Sequence, residues 1–181
     1  MKIGIMGALA VAAATGGCGL GIAAGADFSP GVDLARYGSF TWDEPDDRPV
    51  GDPRLENNPF FEQRLHAAIA VELADHGICI GGEGAALIVH HHATVRSRVD
   101  VYEADERGGY TGATYAEGRQ VVQYDQGTIL VDIADATTRH VLWRGWAQFD
   151  IGRALANPEV MERAIDEAIA AMFEDFPGGG R

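Results

Sequence analysis

Lysine is almost missing from this chain: of 14 basic residues only Lys2 is a lysine, and 27 acidic residues leave a formal charge of −13. No stretch is basic. A body this acidic repels phosphate backbones and anionic headgroups, which argues against a nucleic-acid partner and against polybasic membrane docking. Cysteine is scarce as well. Cys18 and Cys79 are too few for a disulfide scaffold and lack zinc-site spacing. Ser29, Ser39 and Ser97 stand outside any G-x-S-x-G, and no pair of carboxylates sits in a recognisable catalytic motif. No catalytic constellation is visible, and the reading is of a protein that is not an enzyme, with a hydrolase whose carboxylates converge from distant positions as an alternative. An apolar run long enough to span a bilayer is also lacking: Ile3 to Ala14 has the length of a signal peptide.

What is present begins with an address. Lys2 gives a minimal positive start, the apolar run follows, and Thr15-Gly16-Gly17-Cys18 puts small residues before a cysteine. This resembles the lipobox of bacterial lipoproteins, with Thr15 where leucine is usual. The resemblance implies a signal peptide over residues 1–17, cleavage before Cys18 and acylation of that cysteine. Each buried methylene adds about 0.8 kcal/mol and two chains already anchor stably, so palmitate-type acylation would fix the protein to a membrane. Gly19, where aspartate would signal inner-membrane retention, favours the outer membrane with the domain facing the periplasm. Two alternatives compete. A cut after Ala24-Gly25-Ala26 would release a soluble periplasmic protein. Met1 to Ala8 has the look of a dinucleotide-binding strand and turn, but no G-x-G-x-x-G is completed.

Residues 18–35 read as the lipidated cysteine and a tether, small-residue-rich over Gly19 to Ser29. One domain then covers 36–177, with a disordered tail at 178–181. Its 46% hydrophobic and 23% charged composition is that of an ordinary globular unit. Tyr37 to Trp42 is a short strand with Phe40 and Trp42 on one face. Asp43 to Asn57 carries Pro45, Pro49 and Pro53, cannot continue a sheet and lacks the EF-hand glycine and glutamate, so it is a solvated connector.

Asn58-Pro59 opens a helix with the stripe Phe61, Leu65, Ala68, Ile69 and Leu73, stopped by Gly77. Nothing in that stripe suggests more than core. Cys79, between Ile78 and Ile80, reads as a buried inert thiol. Ala86 to Tyr102 is the longest alternating run of the chain, with Leu87, Val89, His91, Ala93, Val95, Val99 and Val101 on one side and His90, His92, Thr94, Arg96, Arg98 and Asp100 on the other. Glu103 to Arg119 is a long Gly/Tyr loop with no phosphate-loop spacing. Gly127 to Asp135 and Val141 to Asp150 form a hairpin. Asn157-Pro158 opens a second helix with Met161, Ile165, Ala168, Ile169, Met172 and Phe176 in its stripe. The order strand-helix-strand-strand-strand-helix predicts an α+β two-layer sandwich, a mostly antiparallel sheet of about four strands with both helices on one face.

Gly51-Asp52-Pro53-Arg54 before the first helix, Ala86-Leu87-Ile88-Val89 running through Val95-Arg96-Ser97-Arg98-Val99-Asp100, and Gly127-Thr128-Ile129-Leu130-Val131-Asp132 followed by Leu142-Trp143-Arg144-Gly145-Trp146 together resemble the bacterial lipoproteins grouped as domain of unknown function 4136. The resemblance implies an envelope lipoprotein with an α+β domain. It supplies no activity and no catalytic residues.

Two candidate sites lie on the polar side of the long strand. His90 and His92, two apart, share a face at roughly 6.5–7 Å, so two imidazoles could converge on zinc or copper with a third ligand from Asp132, Asp100 or His140. His91 points inward as a hydrogen-bonded core residue. Arg96, Arg98, Arg144 and Trp146 form a recognition face for an acidic or aromatic partner, since arginine and tryptophan are over-represented in hot spots. The competing reading pairs those arginines with Asp100 and Asp132 across the strands. No cofactor beyond the lipid on Cys18 is expected. The partner is an unidentified envelope protein or ligand.

Overall fold

The computed structural model describes residues 21–44, 48–82, 84–103 and 119–178, the backbone alone at 100–103 and 119–122. Both helices form where their local signals place them. In α1, Pro59–Asp75, the side chain of Asn58 accepts hydrogen bonds from the Phe60 and Phe61 N–H groups. At the other end Gly77 turns left-handed, with φ 80°. The Ile78 N–H then reaches the Leu73 carbonyl and the Gly77 N–H the Ala74 carbonyl, at 2.8 and 2.9 Å. This pair of bonds is a Schellman motif, and the buried Ile78 supplies its hydrophobic contact. In α2, Pro158–Phe173, Asn157 caps Glu159 and Val160 in the same way.

Six strands make one mixed sheet: β1 Ala23–Phe28, β2 Ser39–Trp42, β3 Cys79–Ile80, β4 Leu87–Glu103, β5 Arg119–Asp135 and β6 Val141–Asp150. Their order is β1-β6-β5-β4-β2-β3. Pairing is antiparallel from β1 to β4, and β2 runs parallel to both β4 and β3. The expected class, α+β with two helices on a mostly antiparallel sheet, stands; the strand count of about four needs correcting to six, and the two short pairings of β2 are parallel. The odd face of β4, β5 and β6, with Leu87, Val89, Ile129, Val131, Ile133, Trp143 and Ala147, joins one core with the stripes of both helices.

Three corrections follow from particular residues. Ala23–Phe28, expected in the tether, is an edge strand whose whole length pairs with β6, from Ala23↔Gln148 to Phe28↔Trp143. Its small side chains carry no alternation to read, and Leu34, also outside the expected domain, is fully buried. A cleavage after Ala26 would therefore cut inside β1. Second, Cys79 is exposed, not buried: β3 is a two-residue edge strand, and only the preceding Ile78 enters the core. Third, β5 begins at Arg119 and is 17 residues long. Because β6 reaches only as far as the Gln126↔Asp150 pair, the outer parts of β4 and β5 continue as a two-stranded ribbon. Of the expected Gly/Tyr loop, 104–118 lie outside the described residues.

The connector before α1 is more than a solvated strap. Leu55 is buried, and the Asp52 carboxylate receives two hydrogen bonds from the Arg54 guanidinium, at 2.9 and 2.6 Å. That contact holds Asp52 below the usual carboxylate range against the opposing effect of burial. The strap then docks on β4: the Val95 N–H donates to the Val50 carbonyl at 2.7 Å. Gly51, at φ 89°, lies so close that a Cβ there would come within 2.8 Å of the Val95 carbonyl oxygen.

Candidate functional site

β2 stops at Trp42, so β4 loses its neighbour just where the histidines begin. The gap is framed by the strap on one side and by α1 on the other. Here a cleft of about 370 Å³ opens, lined by residues that include Asp43, Arg48, Glu56, Glu62, His66, His91 and His92. His91 sits on the helix-facing side of β4, as the alternation predicted, and is hydrogen-bonded, also as predicted. Its partner is Glu62, with Nε2 to Oε2 at 2.7 Å. A carboxylate can only accept, so His91 Nε2–H donates. One helical turn on, His66 follows Glu62 on the same face of α1.

Trp42 fixes the His66 ring. The indole and imidazole are stacked at 3.9 Å between centroids with 9° between planes. His91 stands edge-on to both, 4.8 Å from His66 and 6.2 Å from Trp42. Donor atoms of Glu62, His66 and His91 all lie within 4.8 Å of one another, and all three residues are partly buried. Burial pushes the His66 pKa down, the neighbouring His91 adds to this, and Glu62 opposes it. The His91 hydrogen bond draws the Glu62 pKa down in spite of partial desolvation.

The sequence singled out other histidines. His90 faces the opposite side of the sheet, its Nδ1 3.9 Å from Asp43 Oδ2, while Arg139 holds the other oxygen of Asp43 at 3.0 Å. His92 lines the cleft. Neither belongs to the three-residue donor group found among the described residues. Glu62, His66 and Trp42 were missed. Their signal was the E-x-x-x-H spacing on one helix face, hidden because that face also carries the core stripe.

The second candidate surface is the sheet face away from the helices. The register sets Asp27, Arg144, Asp132 and His90 in one row across four strands, and Gly25, Trp146, Leu130 and His92 in the next. Arg144 grips Asp132 with two hydrogen bonds, 2.5 and 2.6 Å, so this arginine is neutralised across the strands as the competing reading had it. The guanidinium is raised in pKa by that bond. Arg98 donates to the Gln126 side chain at 2.9 Å, and Arg96 is exposed. Trp146 is 39% exposed, and its indole lies over Gly25, where a Cβ would approach Cζ2 to 3.1 Å. The four expected residues thus share one face. Cys18, the expected lipidation site, lies outside the described residues, as does the side chain of Asp100.

Among the described residues no helix is long and apolar enough to cross a membrane. Comparison with curated protein sequences gives no match. Solved structures with a similar fold include a PDZ domain protein from Parabacteroides distasonis, at 14% identity and TM-score 0.50, covering 87% of this chain and 36% of the other. The chain thus spans about a third of that protein, and the likeness is one of fold. More distant are a PelC dodecamer from Paraburkholderia phytofirmans (10% identity, TM-score 0.48, 88% and 99% covered) and a minor lipoprotein from Acinetobacter baumannii (12%, 0.38, 75% and 88%). One family model spans residues 25–178, from within β1 to just past α2. The chain belongs to the family described as domain of unknown function DUF4136.

Proposed function

We propose that this chain is a lipid-anchored domain of the bacterial outer membrane, facing the periplasm, that works by binding an acidic protein partner and not by catalysis. The observation that carries this reading is Trp146. It is a large aromatic side chain left accessible on the sheet face away from the helices, with its ring supported by the bare backbone of Gly25. Such a pre-ordered aromatic loses little freedom on contact and is the residue type that most often dominates binding energy.

Charge favours the same face. Among the strand positions of that face Arg96, Arg98 and Arg144 stand against Asp27, Asp100, Asp132 and Asp150, an excess of one acid, while the chain as a whole carries −13. An acidic partner meets least repulsion at this surface, and the ribbon end with Arg96 and Arg98 supplies attraction. The anchor is supported by the small residues before Cys18 and by the position of that cysteine five residues before β1. Labelling with palmitate in cells tests it: the wild-type chain is expected to take up label and sediment with outer membranes, and Cys18→Ala to do neither. A wild-type chain without label would remove the anchor from this account.

A further inference from the structure

The geometry points to a second site, independent of the docking face: a mononuclear site for a divalent transition-metal ion of the zinc class, held by Glu62 and His66 of α1 and by His91 of β4. The donor set is two imidazoles and one carboxylate, which suits zinc and its neighbours and not the all-oxygen shells of calcium or magnesium. Three protein ligands leave a fourth position, and the cleft opens there.

The distances are close to what an ion requires. In a tetrahedral shell with bonds of about 2.0–2.2 Å, ligand atoms lie roughly 3.4 Å apart. Here one pair is at 2.7 Å and every pair is within 4.8 Å. Side-chain rotations that move donors by about 1.4 Å close the shell, with no change in the backbone. Two of the three donors come from successive turns of a helix capped at both ends, and the third from the fifth residue of β4, which is paired along its whole length with β5, so the frame is rigid. The stack on Trp42 sets the plane of the His66 ring before any ion arrives.

In the metal-free form the Glu62–His91 hydrogen bond takes the place of the ion. Binding exchanges it for two bonds to metal: the hydrogen on His91 Nε2 is lost to solvent and Nδ1 gains one, a change of tautomer that leaves the imidazole neutral and its Nε2 lone pair free to coordinate. His90 and His92 take no part.

Zinc titration of the untagged full chain in detergent, by calorimetry and by metal analysis after desalting, tests this. Wild type is expected to hold one zinc ion per chain. Glu62→Gln and His91→Gln keep a hydrogen bond between the two positions, and His66→Phe keeps the stack on Trp42, so each retains the fold and loses one ligand. Each is expected to weaken binding by about ten-fold or more, while His90→Ala, on the opposite face of the sheet, binds as wild type does. Cobalt(II) gives an independent readout, since a four-coordinate site produces strong visible absorption in wild type that the three cleft variants lose. The inference is overturned if folded wild type takes up no zinc and shows no cobalt band, or if binding survives in the cleft variants and disappears in the His90→Ala variant.

Discussion

A chain trimmed to begin at residue 36, where the sequence pattern sets the start of the domain, is expected to be unable to hold a stable fold, whereas one that begins at residue 21 keeps it. Two losses add. Leu34 is fully buried in the main core, and removing a buried leucine side chain costs about 2–5 kcal/mol. The trimmed chain also lacks β1, with its six register pairs to β6 and the packing of Ile22, Ala24 and Ala26 on the core. The lost contacts contribute on the order of 3 kcal/mol more. Against a total stability of about 5–15 kcal/mol, the sum removes most or all of the margin. It also strips the cover from β6, and an uncovered strand edge pairs with other chains. Denaturant titration and size-exclusion chromatography of the two lengths check this. Equal midpoints and two monomeric peaks would show that β1 and Leu34 are dispensable.

The next largest effect is expected at Trp143. Its side chain is fully buried between the sheet and the end of α2, with ring centroids 4.8 Å from Phe173 and 5.4 Å from Phe176. The indole covers Gly145 on its own strand so closely that a Cβ at Gly145 would collide with the six-membered ring. Trp143→Ala leaves a cavity that neither phenylalanine can fill without leaving the other, at a cost of about 3–5 kcal/mol. For a domain of this size that lowers the melting midpoint by roughly 6–20 °C. Trp143→Phe is expected to lose less than half as much, because the ring remains and the indole Nε1 has no hydrogen-bond partner among the described residues. Gly145→Ala overfills the same contact, at about 1–3 kcal/mol. Thermal melts of the three variants rank them; a Trp143→Ala protein as stable as wild type would mean the ring is not a core element.

These two results also mark where the sequence could be read and where it could not. The helices were legible because their determinants are local: an asparagine and a proline at each start, a stripe of period 3.6, and a glycine that turns left-handed after α1. The core face of β4 was legible for the same reason, since alternation needs no partner. β1 was not, because AAGADF brings only Ala24 and Ala26 onto the core and leaves its one large apolar residue, Phe28, exposed at the strand end. Its identity as a strand comes from β6, and the need for glycine at position 25 comes from the Trp146 ring, which is far away in the chain. The first half of β5 was missed because RQVVQYDQ is mostly polar and, apart from its last residue, pairs only with β4.

The cleft shows the same division. His91 was correctly turned towards the helices, but only the end of β2 at Trp42 decides that it meets α1 at a gap and not within the closed core. Glu62 and His66 gain meaning from that meeting alone. On the opposite face, by contrast, the strand register was enough: Arg96, Arg98, Arg144 and Trp146 share that face because alternation puts them there, the first two towards the ribbon end, and Asp132 takes up one of the arginines because it lies directly across from Arg144.

The claim that the domain works by docking through this open face is tested most directly by photocrosslinking in cells, with a photoreactive residue at position 146 and, as control, at Glu167 on the exposed side of α2. One discrete adduct is expected from position 146, none from position 167, and the adduct is expected to disappear when Arg96→Glu and Arg98→Glu reverse the charge of the ribbon end. No adduct at 146, or the same adducts from both positions, would contradict the docking claim.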